Sequence, residues 1–140
     1  MKKPILLIAF LLTTICCAVA QNERKFDPQR FNQEMQQFIT SEAGLTPQEA
    51  ADFFPLYDEM RKKSRVLFRE MHRLKRFKPA DENACKENIK RRDELDIQMK
   101  ELQQIYHNKF FNVLPASKVY DVMKAEDSFH RKMFQKARAK

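Results

Sequence analysis

A single glycine, Gly44, occurs in 140 residues. Sheet proteins place glycine at tight hairpin turns, and phosphate-cradling loops need several glycines close together. One glycine serves neither, so a β architecture and a nucleotide-binding loop are both excluded. Cysteine is also scarce, at Cys16, Cys17 and Cys85. Long apolar stretches are missing too: the uncharged, mostly apolar run from Pro4 to Ile15 falls short of the ~20 residues that span a bilayer.

That short run has the layout of an export signal. Lys2 and Lys3 form a basic head, Ala18-Val19-Ala20 supplies a small-x-small cleavage pattern, and the polar segment Gln21-Asn22-Glu23-Arg24-Lys25 follows at once. The alternative, a retained anchor, is disfavoured by length. Lipid attachment is disfavoured because Cys16 and Cys17 follow Ile15 and Cys16 rather than a small residue. The expectation is a signal peptide over 1–20, a single domain over 21–140 starting near Gln21, a periplasmic location and no stable membrane insertion. The remaining chain carries 25 Lys+Arg against 19 Asp+Glu, net +6. Cys85 is then alone, so no internal disulfide can form, and it is either buried and inert or open to an intermolecular link.

What is abundant is Glu, Lys, Arg, Gln, Met and Leu, all good helix formers. The pattern predicts an all-α fold of four helices over about 27–42, 46–77, 81–113 and 115–136. Asp27 followed by Pro28 starts the first, with Phe31, Met35, Phe38 and Ile39 on one face and Gly44 placed for a left-handed C-terminal cap. Thr46-Pro47-Gln48-Glu49 is a capping box with proline at its first position. The seam that follows, Ala50, Phe53, Tyr57, Met60, Ser64, Leu67, Met71 and Leu74, steps by three and four throughout. Pro55 removes one helical hydrogen bond, so a bend is expected there.

Phe77-Lys78-Pro79-Ala80-Asp81 breaks the period, and Asp81 can cap the third helix, with Ile89, Leu95, Met99, Leu102, Tyr106, Phe110 and Val113 inward. Pro115 opens the fourth, with Val119, Val122, Met123, Phe129 and Met133 on one face. A short connection between long helices implies an antiparallel hairpin, which would bring His72 near Lys86 and His107 near the start of the second helix. Residues 21–26 and those after Met133 are expected to fray.

Catalytic chemistry is not indicated. Ser41, Ser64, Ser117 and Ser128 lack the strained turn of a hydrolase nucleophile. Acidic residues are mostly interleaved with basic ones, as on solvated helix faces. No two histidines stand four apart, as a helical zinc pair needs; His72 and Cys85 are the only weak candidates for a metal. No cofactor is expected.

Basic residues are more telling. Arg61, Lys62, Lys63, Arg65, Arg69, Arg73, Lys75, Arg76 and Lys78 crowd the distal half of the second helix, and Lys86, Lys90, Arg91 and Arg92 face the same end. This is either a solvated face or a surface for an acidic partner. Nucleic acid is disfavoured by the export signal. Phe54, Leu56 and Phe68 fall beside the seam, as do Ile97, Ile105 and Phe111, which implies either a wide core or a second, accessible apolar stripe.

Leu45-Thr46-Pro47-Gln48-Glu49, the basic amphipathic helix after it, and Val113-Leu114-Pro115-Ala116-Ser117-Lys118-Val119 resemble the Spy/CpxP group of periplasmic helical proteins, which carry two L-T-x-x-Q motifs. The resemblance covers about 45–137. Leu45, Thr46 and Leu114 agree with the motifs. Glu49 replaces Gln, Pro115 replaces Thr and Lys118 replaces Gln, so the second motif lacks its side-chain cap. The resemblance implies a cradle-shaped antiparallel homodimer that binds unfolded or stressed envelope proteins without ATP. An alternative it also allows is an envelope-stress or heavy-metal-sensing regulator docked on a membrane signalling protein. On the first reading Arg61, Lys62, Arg65, Arg69, Arg73 and Arg76 supply charge, and Phe54, Leu56 and Phe68 apolar contact.

Overall fold

The computed structural model describes residues 27–139 and contains four α-helices and, among those residues, no strand. The expected signal peptide, the start near Gln21 and the fraying of 21–26 lie outside the described residues.

Helix α1 spans Pro28–Glu42 and begins where a side chain replaces missing helical acceptors. Asp27 accepts from the backbone N–H of Gln29 at 2.9 Å and of Arg30 at 3.3 Å. It ends at Gly44, whose φ of 59° lets the Leu45 N–H turn back to the Thr40 carbonyl at 3.0 Å. Leu45 is thereby driven into the core. A Cβ at Gly44 would touch nothing within 4 Å, so Gly44→Ala suffers backbone strain alone. Chemical denaturation should show a loss of about 1–2 kcal/mol, the cost of a left-handed residue carrying a side chain.

Helix α2 spans Pro47–Lys75. Thr46 Oγ1 accepts from the Glu49 N–H at 3.2 Å, and Glu49 Oε2 accepts from the Thr46 N–H at 2.8 Å, which completes the capping box. The helix continues through Pro55. Ala51, whose carbonyl loses its donor, and Pro55 itself are both exposed, so water can take that acceptor. Helix α3 spans Glu82–Phe110, with Asp81 accepting from the Ala84 N–H at 2.8 Å. It stops at Phe110 rather than Val113, because Leu114 and Val113 turn back onto the Phe110 carbonyl. Helix α4 spans Ala116–Arg138 and has no side-chain cap at Pro115. It continues past Met133, where fraying was expected.

The main core joins α1, the first half of α2, the end of α3 and α4. Phe53, Tyr57, Met35, Ile39, Tyr106 and Val119 are essentially inaccessible. Phe53 stacks on Tyr57 and meets Phe110 at 4.8 Å, while Phe31 and Phe38 both pack on Phe129. The distal halves of α2 and α3 bury only Met71 and Leu95. They lie against each other through the Arg91–Glu70 ion pair at 2.9 Å and a bond from Asn88 Nδ2 to the Leu74 carbonyl at 3.1 Å.

That register differs from the sequence expectation. An alignment with His72 opposite Lys86 would set Glu70 opposite residue 88 and Leu74 opposite residue 84; their observed partners, Arg91 and Asn88, lie three and four positions further along α3. The cause is the connection: residues 76–81 leave α2 and reach the α3 cap outside a helix, so the first turn of α3 overhangs the end of α2. Two inward assignments fail as well: Ile89 is 56% exposed and Met123, on the wall of an open groove, is 42% exposed.

Candidate functional site

A groove of about 550 Å³ opens between α2, α3 and α4. Met60, Arg61, Ser64, Arg65 and Phe68 form its α2 wall; Met99, Lys100, Gln103 and His107 its α3 wall; and Met123, Glu126, Asp127 and His130 its α4 wall. The periodicity of α2 explains the first set. Residues 60, 64 and 68 lie one helical turn apart on one face, and burial falls along it from Met60, the last core residue of this row, to the exposed Phe68.

Tyr57, buried in the core beside the groove, holds one of the groove's carboxylates. Its hydroxyl donates to Glu126 Oε1 at 2.7 Å. Burial, then the adjacent Glu126 carboxylate, push the phenol far above its ordinary value, so it stays a protonated donor. His130 Nε2 stands 3.8 Å from the same carboxylate oxygen. Arg61 is half-buried beside this pair, its guanidinium 5.7 Å from the Tyr57 ring centroid and 5.9 Å from that of Phe31. One of its nitrogens reaches Met35 Sδ at 3.5 Å. Among the described residues no carboxylate pairs with Arg61 or Arg65. The groove therefore combines the Met99 and Met123 thioethers, with Met60 buried at its core end, and the exposed Phe68 ring with two guanidinium groups that lack a carboxylate partner among the described residues.

The residues proposed from sequence as a client surface separate into three places. Arg61, Arg65 and Phe68 line the groove, and Phe68 is 57% exposed with its ring against His72. Phe54 and Leu56 do not join them. Both are half-buried against the main core, and Phe54 shares a hollow with Gln33, Gln37 and Thr40 of α1. Lys62 is solvent-exposed, and Arg69, Arg73 and Arg76 lie further along α2 toward its connection with α3. Met60, Met99, Met123, His107 and His130 were not assigned to this surface. The sequence marked the first three only as seam residues, and His107 lines the same groove as Arg61 and Arg65.

The Cys85 thiol, half-buried, lies 3.6 Å from the Pro79 carbonyl, while His72 packs on Phe68. Among the described residues no three His, Cys, Asp or Glu side chains converge as metal ligands. No described helix is long and apolar enough to cross a membrane.

Glu49 and Lys118, far apart in sequence, meet in space. Lys118 Nζ donates to Glu49 Oε2 and, at 3.0 Å, to the Gly44 carbonyl. The start of α4, which lacks a cap of its own, is thus tied to the start of α2. The Lys118 hydrogen bond, reinforced by the Thr46 N–H, holds the Glu49 carboxyl below its ordinary value of 4.5. A depressed folded-state value stabilises the fold above that pH, and the contribution is lost as pH falls through the folded value. The melting-temperature gap between the natural chain and Lys118→Gln should therefore be full at neutral pH and close as the solution is acidified below pH 4.5.

No family model, curated protein or solved structure matches this chain.

Proposed function

We propose that this chain is an ATP-independent, chaperone-like protein of the cell envelope that holds unfolded or partly folded segments in the groove between α2, α3 and α4. The observation that carries this reading is the composition of the groove: Met99, Met123 and Phe68, with Met60 at its buried end, beside Arg61 and Arg65, which have no carboxylate partner among the described residues. Thioethers adapt to apolar side chains of differing shape, so the site suits many sequences rather than one. Guanidinium groups without carboxylate partners attract acidic segments at long range and set the rate of capture. The export-type N-terminus supports a periplasmic site of action, and the resemblance to the Spy/CpxP group points the same way.

On this reading α2 and α3 act as an antiparallel hairpin, and two copies associate into a cradle that extends the groove. Stoichiometric amounts of the purified protein should suppress aggregation of a denatured client without ATP, and light scattering in solution should give twice the chain mass. Undiminished client aggregation at both low and moderate salt would contradict the chaperone assignment.

A further inference from the structure

Residues 69–92, covering the end of α2, the connection and the start of α3, hold nine Lys or Arg and four Asp or Glu, net +5. The other described residues hold 13 Lys or Arg and 14 Asp or Glu, net −1. One end of the molecule thus carries all of the net positive charge of the described chain. Two of the four carboxylates there are already engaged, Glu70 with Arg91 and Glu87 with Lys90. Lys75, Arg76, Lys78 and Lys86 have no carboxylate within ion-pair distance among the described residues.

At the centre of this pole stands Phe77. It is 72% exposed, the highest value among the large apolar side chains left on the surface. It sits in the non-helical connection, flanked in sequence by Lys75, Arg76 and Lys78. The Arg76 guanidinium lies 5.3 Å from its ring centroid. We infer that this pole is a docking surface for an anionic phospholipid bilayer, with Phe77 entering the headgroup–acyl boundary while the surrounding cations stay at the phosphates. This goes beyond client binding and does not depend on it.

Three physical points select a lipid surface over an acidic protein. Phe77 and Ile89, the exposed large apolar side chains of this pole, offer far less than the roughly 800 Å² per partner that a specific protein interface needs. A fluid bilayer needs no matching cavity, because lipids close around the ring and anionic headgroups migrate to the cations. Long basic side chains on either side can extend their heads to the phosphates while their stems follow the ring inward. The charge imbalance between the pole and the rest of the molecule would also orient the approach.

The chain lacks tryptophan, so Phe77→Trp creates a single fluorescent reporter at the pole. Tyr120→Trp, at a site 67% exposed on α4, reports from outside it. With vesicles of phosphatidylglycerol and phosphatidylcholine at low salt, Phe77→Trp emission should move to the blue and Tyr120→Trp emission should not. The otherwise natural chain should co-sediment with these vesicles, and neutralising Lys75, Arg76 and Lys78 together as Gln should weaken partitioning about a hundredfold, near fivefold for each cation. Phe77→Ala, which keeps the charge, should weaken it about tenfold. These substitutions are at exposed positions, and circular dichroism checks that the helices persist. The inference is overturned by an unmoved Phe77→Trp spectrum, by equal partitioning to pure phosphatidylcholine, or by equal shifts from both reporters. It is also overturned if soluble polyglutamate binds while the vesicles do not.

Discussion

Phe53→Ala is expected to lower the free energy of unfolding by about 3–5 kcal/mol, the range for removing a fully enclosed aromatic ring. Phe53 has no accessible surface and touches Phe54, Tyr57 and Phe110 at ring-contact distances. It therefore joins α2 to the end of α3 at the point where the main core is thickest. Because domains of this size are stable by only about 5–15 kcal/mol, the variant should have a strongly lowered urea midpoint or fail to fold at 37 °C. Phe68→Ala, on the same helix but exposed, should change the midpoint little. The contrast between these two phenylalanines tests where the core ends along α2.

The second large effect concerns capture. Arg61→Gln combined with Arg65→Gln keeps two polar side chains of similar reach but removes both charges from the groove wall. The apparent affinity for a denatured acidic client should fall at least tenfold at low ionic strength, on the order expected for losing two partly desolvated charge contacts. The loss should appear mainly in the association rate. It should shrink in 1 M salt, where the screening length drops to about 3 Å and the natural chain loses the same advantage. Stopped-flow mixing with a labelled client measures both quantities. An affinity unchanged at low salt would remove the arginines from the account.

Much of the fold is legible in the sequence because local chemistry and helical period agree. Asp27, Thr46 and Asp81 each have a side chain suited to a helix start, and each makes its capping bond. Gly44 stands at the one positive φ among the described residues. The burial of Phe53, Tyr57 and Met60 also follows from the three-four stepping of α2. What period cannot provide is which side of a second apolar stripe another helix covers. Phe54 and Phe68 look equivalent in sequence, yet α1 packs beside Phe54 and nothing packs over Phe68. The same uncertainty explains Ile89, assigned inward by spacing and found exposed.

The groove was legible only in part for a different reason. Arg61, Arg65 and Phe68 could be picked out by charge and by their offset from the seam. Met99, His107, Met123 and His130 come from α3 and α4, and their meeting depends on a register that the connection shifts by about a helical turn. The Glu49–Lys118 contact belongs to the same class. Each residue reads alone as a departure from a motif, and only the tertiary arrangement shows them as partners.

The most direct test of the central claim is methyl NMR of the methionines during titration with an unfolded client. Met60, Met99 and Met123 line the groove, whereas Met35 is sealed in the core and Met133 packs at its far side on α4. The account predicts that the three groove methyl signals shift together and saturate with client, leaving Met35 and Met133 in place. Shifts confined to Met133 or Met71, with the groove signals fixed, would contradict it.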